Sequence, residues 1–346
     1  MSETKNLAAH EIAKVFPALN TGGQISFDEY KKTHAASIAD VGAFWSDEAK
    51  ERLHWTIPFT QSLSGDLDAG DITWFVGGKL NVCYNAVDRH ALTKPDQVAI
   101  VFEGDEPDDI RKITYLELQR KVSKIANALI MQGVQKGDVV TIYMPMIPEL
   151  AMTMLACARI GAIHSVVFAG FSAEALAQRI SAARSAFLVT ADIGKRGGKT
   201  IDLKSIIDAA RTKMDCEEVL RAVLVWERFH DADKAPGYEP KPKDIRMDEL
   251  VSVQRPYCPP VVMDAEDPLF ILYTSGSTGQ PKGLVHTTGG YALYAAFTTQ
   301  KSFDLREGDL FACVADCGWI TGHSYVGKWS SLSYVVVVFL LSSFRT

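Results

Sequence analysis

The sequence predicts an α/β fold in which a mostly parallel sheet carries helices on both faces. From residue 96 onward, short apolar runs alternate with stretches of helical periodicity, a pattern typical of consecutive βαβ units. Parallel strands need crossover helices, and those helices cover both faces of the sheet. The 346 residues, of which 47% are hydrophobic and 23% charged, have a globular composition and can bury a sizeable core.

Each element of this alternation has its own signal. The predicted strands cover residues 98–102, 138–143, 163–168, 187–190 and 223–226. The helix after the first strand begins with a capping box of Thr114 and Glu117 and ends at Gly133. Its apolar face consists of Leu118, Val122, Ile125 and Leu129. Further helices are predicted over 148–160, from the cap residue Ser172 to Arg184, and over 204–214.

The first part of the chain has a different pattern. Residues 1–25 are expected to form a flexible lead-in with one helix around 8–16, and residues 71–82 an extended, turning segment. Between them the chain is helical over 26–53, where four aromatic residues are available to anchor it: Phe27, Tyr30, Phe44 and Trp45. A stretch rich in lysine and proline over 234–243 predicts a surface excursion.

A loop rich in hydroxyl groups and glycines follows the apolar strand predicted over 269–272. The run from Tyr273 to Gly283 offers backbone N–H groups and side-chain donors, and Lys282 adds a positive charge. It is not a P-loop, because Lys282 is preceded by Pro281 and followed by Gly283. Most turns of this composition are flexible surface loops. This one follows the carboxyl end of a strand, where open parallel sheets bind ligands, so both a surface loop and a phosphate-binding loop stay open at this point.

Charge and cysteine content restrict the functional class. A net charge of −6 and a pI near 5.8, without a basic stripe, give no indication of nucleic-acid binding. The six scattered cysteines predict reduced thiols in a cytoplasmic protein, although a nuclear pool stays open. Cys313 and Cys317 are interpreted as core residues rather than metal ligands, because no second pair accompanies them. No targeting segment is expected, and the apolar run 334–341 is too short to span a membrane.

The loop and several longer stretches carry a family resemblance. The chain resembles the AMP-forming acetyl-CoA synthetases, which belong to the acyl-adenylate-forming enzymes, over about residues 26–326. Besides 273–283, the resemblance rests on residues 74–81, 84–85, 88–90, 161–172, 286–291 and 315–325. It implies acetate, Mg²⁺-ATP and CoA as ligands. In the reaction that it implies, acetate would attack the α-phosphorus to give acetyl-adenylate and diphosphate, and CoA would then displace AMP to give acetyl-CoA.

The resemblance also implies roles for individual residues. The ATP phosphates would be held by Thr274, Ser275, Gly276, Ser277, Thr278, Gly279 and Lys282. The acetate pocket would be formed by Trp319, Ile320 and Thr321, with the indole favouring a two-carbon acid. CoA would be bound by Arg196, Gly197, Gly198, Lys199 and Thr321. His164 and His323 are interpreted as structural or pocket-lining residues, because the reaction needs no general base.

The resemblance ends near residue 326. The expected domains are a lead-in (1–25), an amino-terminal cap segment (26–86), a partial AMP-binding domain (87–326) and an unrelated apolar tail (327–346). The large α/β domain would therefore be incomplete. The adenine and ribose contacts, the acidic residue that helps to hold Mg²⁺ and the small lobe with the catalytic lysine would be missing. No catalytic residue and no metal ligand is expected within these residues.

Several alternatives follow from this ending. The tail is interpreted as a substitute strand on an unfinished sheet, as the end of a shortened isoform, or as translated intron sequence, which is the favoured interpretation. The chain alone is expected to turn over acetate negligibly. Rival functions are a non-catalytic fragment that binds or inhibits the full-length enzyme, and a ligase for another short acid such as propionate.

Overall fold

A computed structural model describes residues 26–66, 68–104, 109–196, 199–228, 238–274, 281–328 and 336–340. The helix predicted around 8–16 lies outside the described residues, as do positions 234–237 of the predicted surface excursion over 234–243. Positions 239–243 are exposed, which agrees with that prediction. Among the residues that the structure describes, none of the helices combines the length and the apolar character that a bilayer crossing requires.

The amino-terminal segment begins with helices and continues into a hairpin. Its elements are α1 (Phe27–Ala39), α2 (Val41–Arg52), β1 (Gln61–Asp66), β2 (Asp71–Val76), β3 (Lys79–Leu80), a first π-helical stretch (Tyr84–Asp88) and α3 (Arg89–Thr93). The predicted helical region over 26–53 is confirmed as two helices. Ser26 and Glu29 form a capping box at the start of α1, in which each side chain accepts the other residue's N–H.

The prediction for the aromatic anchors was only half right. Phe44 and Trp45 on α2 pack edge-on against Phe297, with ring centroids 6.0 and 5.2 Å apart. Phe27 and Tyr30, by contrast, are 72% and 52% exposed and stack on each other. The reason is that α1 lies on the surface and contributes no buried residue to the core.

The middle of the chain contains the predicted alternation. Its elements are β4 (Val98–Glu103), β5 (Ile110–Thr114), α4 (Tyr115–Met131), β6 (Val139–Tyr143), α5 (Pro148–Ile160), β7 (Ile163–Val166), α6 (Ala173–Ala183), β8 (Phe187–Ala191), β9 (Ile193–Arg196), β10 (Lys199–Asp202), α7 (Leu203–Arg211), α8 (Cys216–Val219) and β11 (Ala222–Trp226). The capping box of Thr114 and Glu117 is confirmed, and Ser172 caps α6 by accepting the Ala175 N–H.

The last part of the described chain holds the strand that precedes the predicted phosphate loop. Its elements are β12 (Asp244–Arg246), α9 (Met247–Ser252), β13 (Met263–Asp264), β14 (Pro268–Thr274), β15 (Lys282–Thr287), α10 (Thr288–Lys301), β16 (Leu310–Ala312), α11 (Ile320–Gly322), a second π-helical stretch (His323–Lys328) and β17 (Val336–Leu340). The strand predicted over 269–272 is confirmed within the longer β14.

The main sheet is mostly parallel, as predicted. Among the described residues it has seven strands in the order β12-β11-β8-β6-β7-β14-β15. Neighbouring strands are parallel, except that β15 runs antiparallel to β14. The connections that follow β6, β7, β8, β11 and β14 therefore start from one edge of the sheet, which we call the carboxyl edge. Ligands of open parallel sheets bind at such an edge.

Helices cover both faces of this sheet, which confirms the second part of the fold prediction. On one face, Val140 and Ile142 of β6 belong to the same apolar cluster as the buried residues of α4 and α5. On the other face, Leu188 of β8 and Val223 of β11 pack with α6 and α7. The alternation of side chains along buried strands explains how one run of apolar residues serves two clusters.

A second sheet contains the strand that was expected to begin the alternation. Among the described residues, this sheet has four strands in the order β16-β17-β4-β5. The prediction of a strand at 98–102 is confirmed, but its placement in the main sheet was wrong, because β4 pairs with β5 and β17 instead. Within the apolar tail, Val336–Leu340 lies between β16 and β4 and is parallel to both. This pairing agrees with the interpretation of the tail as a substitute strand.

A buried ion pair joins the amino-terminal segment to the main domain. The side chain of Arg159 on α5 is fully buried and forms two hydrogen bonds with Asp88 on the first π-helical stretch, at 2.7 and 2.9 Å. Its Nε donates to the Cys258 carbonyl, so one guanidinium connects three segments. The amide of Gln119 on α4 also donates to Asp88.

Replacing this arginine is expected to be strongly destabilising. Arg159→Met would leave Asp88 buried without its counter-charge, and the loss of one partner of a buried pair costs about 3–5 kcal/mol. The free energy of unfolding, measured by urea denaturation, tests this expectation. As a control, Arg111→Met removes a half-exposed pair with Glu149 and should cost about 1 kcal/mol or less. Equal effects of the two substitutions would contradict the prediction.

A row of rings crosses three strands of the main sheet at one level. His164 on β7, Phe270 on β14 and His286 on β15 are register partners. Phe270 stacks with His164 and His286 at centroid distances of 5.5 and 4.4 Å. Burial lowers the pKa of His286 below the ordinary 6.5, because the charged imidazolium loses solvation there.

This lowered pKa predicts a pH dependence of stability. When the pH falls below about 6.5, the unfolded chain takes up a proton on His286 more readily than the folded chain does. Folding stability should therefore decrease as the pH falls through this range, and His286→Phe should remove part of the decrease. The free energy of unfolding of both proteins between pH 7.5 and 5 measures the difference. The control His34→Gln changes an exposed histidine and should leave the slope intact. Identical slopes for His286→Phe and the unmodified chain would contradict the prediction.

Candidate functional site

The predicted phosphate loop begins and ends at the carboxyl edge, between β14 and β15. Thr274 and Lys282 are register partners at the ends of this antiparallel hairpin, and both are exposed. The residues predicted to hold phosphates between them, Ser275, Gly276, Ser277, Thr278 and Gly279, lie outside the described residues. The structure thus places the two end residues of the predicted loop directly opposite each other.

Gly283 explains how the hairpin can close tightly. A Cβ atom at this position would lie 3.0 Å from Ile271 Cγ2 and 3.2 Å from Tyr273 Cε1, which is closer than most real contacts of such an atom. The missing side chain therefore leaves room for the Tyr273 ring across the strand pair. Gly283 therefore has a packing role in the hairpin, whereas the sequence indicated only that it is one of the glycines of the loop.

The neighbouring connection, after β7, is braced by a buried tyrosine that the sequence did not indicate. Tyr143 ends β6, and its Oη lies 3.0 Å from the Ala169 carbonyl and 2.8 Å from the Phe171 carbonyl. Burial raises the pKa of Tyr143 to about 12, so its hydroxyl keeps its proton and donates at neutral pH. This contact fixes the segment from Phe168 to Phe171 against the end of the sheet.

Phe168 and Phe171 of this segment pack with Trp319. We call these three aromatic rings the aromatic wall. Their centroids lie 5.6 to 6.5 Å apart. Most tryptophans pack in the core of a protein. Trp319 does not, because 53% of its surface is exposed. Ile320 and Thr321 are also exposed. The structure brings the predicted acetate-pocket residues together at the carboxyl edge, and their role in binding acetate stays a prediction.

The backbone that carries Trp319 is a tight turn with specific residue requirements. The Asp316 carboxylate accepts the Gly318 N–H at 2.7 Å, and its carbonyl accepts the Trp319 N–H at 3.1 Å. A Cβ atom at Gly318 would lie 2.9 Å from the Phe168 nitrogen. A Cβ atom at Gly322 would lie 2.1 Å from the Asp316 carbonyl oxygen. Only glycine allows these two close approaches.

A histidine pair holds this turn onto the sheet. His164 and His323 are both fully buried, and their Nε2 atoms lie 2.9 Å apart with the rings nearly coplanar. One Nε2 must donate and the other accept, so at least one imidazole is neutral. The His323 N–H donates to the Trp319 carbonyl at 2.8 Å. Burial beneath the turn agrees with the structural role predicted for both histidines.

The predicted CoA-binding residues lie on a second hairpin. It follows β8 and therefore starts from the carboxyl edge as well. Arg196 ends β9 and Lys199 begins β10, and the two residues are register partners. Gly197 and Gly198, which separate them, lie outside the described residues. The pairing brings the two cationic positions opposite each other, while their contact with CoA stays a prediction.

The described carboxyl edge thus gathers parts of the predicted phosphate, acid and CoA sites. The sequence did not single out Tyr143, which braces the segment after β7, and it assigned no role to Phe168 and Phe171 of the aromatic wall. Phe168 and Phe171 had one usable signal, because Phe168 ends a predicted parallel strand and Phe171 lies just beyond it. Among the described residues, no group of three histidine, cysteine, aspartate or glutamate side chains is arranged to hold a metal ion.

Comparison with known protein families agrees with this geometry. Residues 30–86 match the model described as the acetyl-coenzyme A synthetase N-terminus, and residues 87–339 match the model described as AMP-binding enzyme.

Curated proteins give similar matches. An acetyl-coenzyme A synthetase of Methylobacterium radiotolerans is 46% identical over 318 residues, which are 91% of this chain and 48% of that protein. An acetyl-coenzyme A synthetase of Xanthobacter autotrophicus is 49% identical over 86% of this chain and 45% of that protein. Acetyl-coenzyme A synthetase 2 of Saccharomyces cerevisiae is 51% identical over 86% of this chain and 42% of that protein. The chain spans about half the length of these relatives. The match over residues 87–339 shows that the chain belongs to the AMP-binding enzyme family.

Proposed function

We propose that the chain is part of an AMP-forming acetate–CoA ligase. The proposed reaction joins acetate to the α-phosphorus of ATP with release of diphosphate, and CoA then displaces AMP to give acetyl-CoA. The observation that carries this proposal is the pairing of Thr274 with Lys282, which closes a hydroxyl- and glycine-rich loop at the carboxyl edge. The similarity to acetyl-coenzyme A synthetases supports acetate and CoA as the other substrates.

In this proposal the loop binds the polyphosphate of ATP. Thr274 and Ser275 to Gly279 would supply hydroxyl and backbone N–H donors, and Lys282 would supply a positive charge. Charge spreads over the phosphoryl oxygens during transfer, so fixed donors and cations lower the barrier more than a general base would. Mg²⁺ is proposed to enter with ATP. No residue of the described chain is proposed as its ligand.

The acid is proposed to lie against the aromatic wall. The Trp319 ring would limit its length, and Ile320 and Thr321 would line the same place. One methylene group in a tight apolar pocket changes the free energy of binding by about 1–3 kcal/mol. Acetate is therefore the proposed substrate. Propionate remains the competing acid, because the described residues form only one side of such a pocket.

CoA is proposed to approach the same edge from the side of β8. Arg196 and Lys199 would pair with a phosphate of its nucleotide, with Gly197 and Gly198 allowing close approach, and Thr321 would contact its thiol end. Lys199 supplies a charge but cannot form the bidentate fork of an arginine.

The full reaction is proposed for a protein about twice as long, because the relatives are about twice the length of this chain. Association with such a full-length enzyme is proposed as well. It is supported by β15, which is the last strand of the main sheet among the described residues and on which Leu284 and Val285 are about half exposed. A cytoplasmic location is proposed from the mostly buried cysteines, which suit a reducing compartment.

The phosphate-binding role of the loop can be tested by calorimetry on the 346-residue chain. Lys282→Ala should weaken the binding of tripolyphosphate about tenfold or more, because a hydrogen bond to a charged group contributes about 1.5–3 kcal/mol. The control Lys112→Ala changes an exposed lysine on a strand of the second sheet and should leave the affinity unchanged. Equal affinities for the Lys282→Ala variant and the unmodified chain would contradict the proposed role of the loop.

The division of the active site can be tested by acetate-dependent exchange of diphosphate into ATP. We expect the 346-residue chain alone to give negligible exchange, since the resemblance implies a catalytic lysine outside these residues and the chain spans about half the length of its relatives. Co-purification with a full-length acetyl-CoA synthetase tests the proposed association. Robust exchange by the chain alone would show that the remaining half is dispensable.

A further inference from the structure

Arg179 is a buried cation without an acidic partner among the described residues. It lies on α6 and is only 9% exposed. Its Nη1 donates to the Ala175 carbonyl at 2.6 Å. Three other buried cations of the described chain, Arg159, Lys204 and Arg211, each form an ion pair with an aspartate. Arg179 differs from them, and a buried charge without a counter-charge is unfavourable.

The position of Arg179 connects it to the candidate site. Its guanidinium lies over the Phe171 ring at 4.6 Å and over the Tyr273 ring at 5.6 Å. The Tyr273 hydroxyl donates a hydrogen bond to the backbone carbonyl of Arg179, with 3.5 Å between the two oxygen atoms. The side chain therefore lies at the carboxyl edge, between the aromatic wall and the last residues of β14. Tyr273 directly precedes Thr274, the first residue of the proposed phosphate loop.

The contacts seen around Arg179 do not replace a counter-charge. Two aromatic faces attract the guanidinium, but such cation–π contacts are weak compared with the solvation that burial removes. Loss of solvation lowers the pKa of Arg179 below its ordinary value. An arginine stays protonated nonetheless, and its planar fork matches the oxygens of a phosphate. The surroundings therefore suit an anion that arrives with a ligand.

We propose that Arg179 is a binding residue that pairs with a phosphate group of a substrate at the carboxyl edge. This proposal for Arg179 rests on the proposed function, because ATP and CoA are the phosphate-bearing substrates of that reaction. The polyphosphate of ATP and the phosphates of CoA share this chemistry. The location beside Tyr273 places the guanidinium within the same part of the edge as Thr274 and Lys282, and the aromatic wall adjoins it on the other side.

The first test separates a binding role from a structural role through stability. If the counter-charge of Arg179 is a bound anion, Arg179→Met removes an unfavourable buried charge from the ligand-free chain. The urea midpoint of the ligand-free variant should then equal or exceed that of the unmodified chain. Arg120→Met is the control, because it removes the same charge from an exposed position on α4. A marked fall of the midpoint together with unchanged affinity for phosphate ligands would show a structural role and overturn the proposal.

The second test measures affinity with two probes at constant ionic strength. Calorimetric titrations use tripolyphosphate in one series and CoA in the other. Arg179→Met should weaken the binding of one probe at least about tenfold, as expected for a charge-assisted pair. The weakened probe identifies the source of the phosphate, and Arg120→Met should weaken neither. Unchanged affinity for both probes would overturn the proposal.

A conservative variant keeps the test decisive if Arg179→Met does not fold. Arg179→Lys keeps the charge but not the fork, so we expect a severalfold loss of affinity for the same probe. Full affinity of Arg179→Lys for both probes would then overturn the proposal.

The outcomes also distinguish this inference from the proposed function. If Lys282→Ala weakens tripolyphosphate binding and Arg179→Met weakens neither probe, the loop proposal stands and the Arg179 proposal is wrong. If Arg179→Met weakens a probe and Lys282→Ala does not, the Arg179 proposal stands and the role of the loop is wrong. If the unmodified chain binds neither probe, both are wrong.

Discussion

Parallel pairing of the strands is the constraint on which the candidate site depends. In the main sheet, hydrogen bonds hold β11, β8, β6, β7 and β14 in the same direction. Every connection that leaves the carboxyl end of these strands therefore starts at the same edge. Residues far apart in the sequence, such as Phe168 and Trp319, meet there without any direct sequence signal. The chemistry proposed for this edge follows from that geometry more than from any single side chain.

The connections at the edge are fixed by buried polar contacts rather than by apolar packing alone. Tyr143 holds the segment after β7, and the His164–His323 pair holds the turn that carries Trp319. Asp316 organises the same turn through two backbone N–H groups. These groups position neighbouring side chains without needing contact with a ligand. An exposed aromatic residue such as Trp319 can therefore keep a defined place at the surface.

Local signals made much of the fold predictable from the sequence. Caps at Thr114 and Ser172 and apolar runs of strand length fixed most elements to within a few residues. The sheet to which each strand belongs was harder to predict from the sequence, because the pairing of β4 with β17 joins residues that are far apart in the chain. The exposure of Phe27 and the burial of Arg179 likewise depend on distant neighbours. The proposed roles of Ser275 to Gly279, Gly197 and Gly198 stay predictions, since these residues lie outside the described chain.

The two glycines of the Trp319 turn have a consequence for protein engineering. Because Gly318 and Gly322 each approach backbone atoms too closely for any β-carbon, the path of the main chain there cannot be redesigned by simple substitution. The three positions between them remain free to vary in side-chain volume. If the acid lies against the aromatic wall as proposed, a library that aims to admit longer carboxylic acids would therefore diversify positions 319 to 321 and leave the flanking glycines alone.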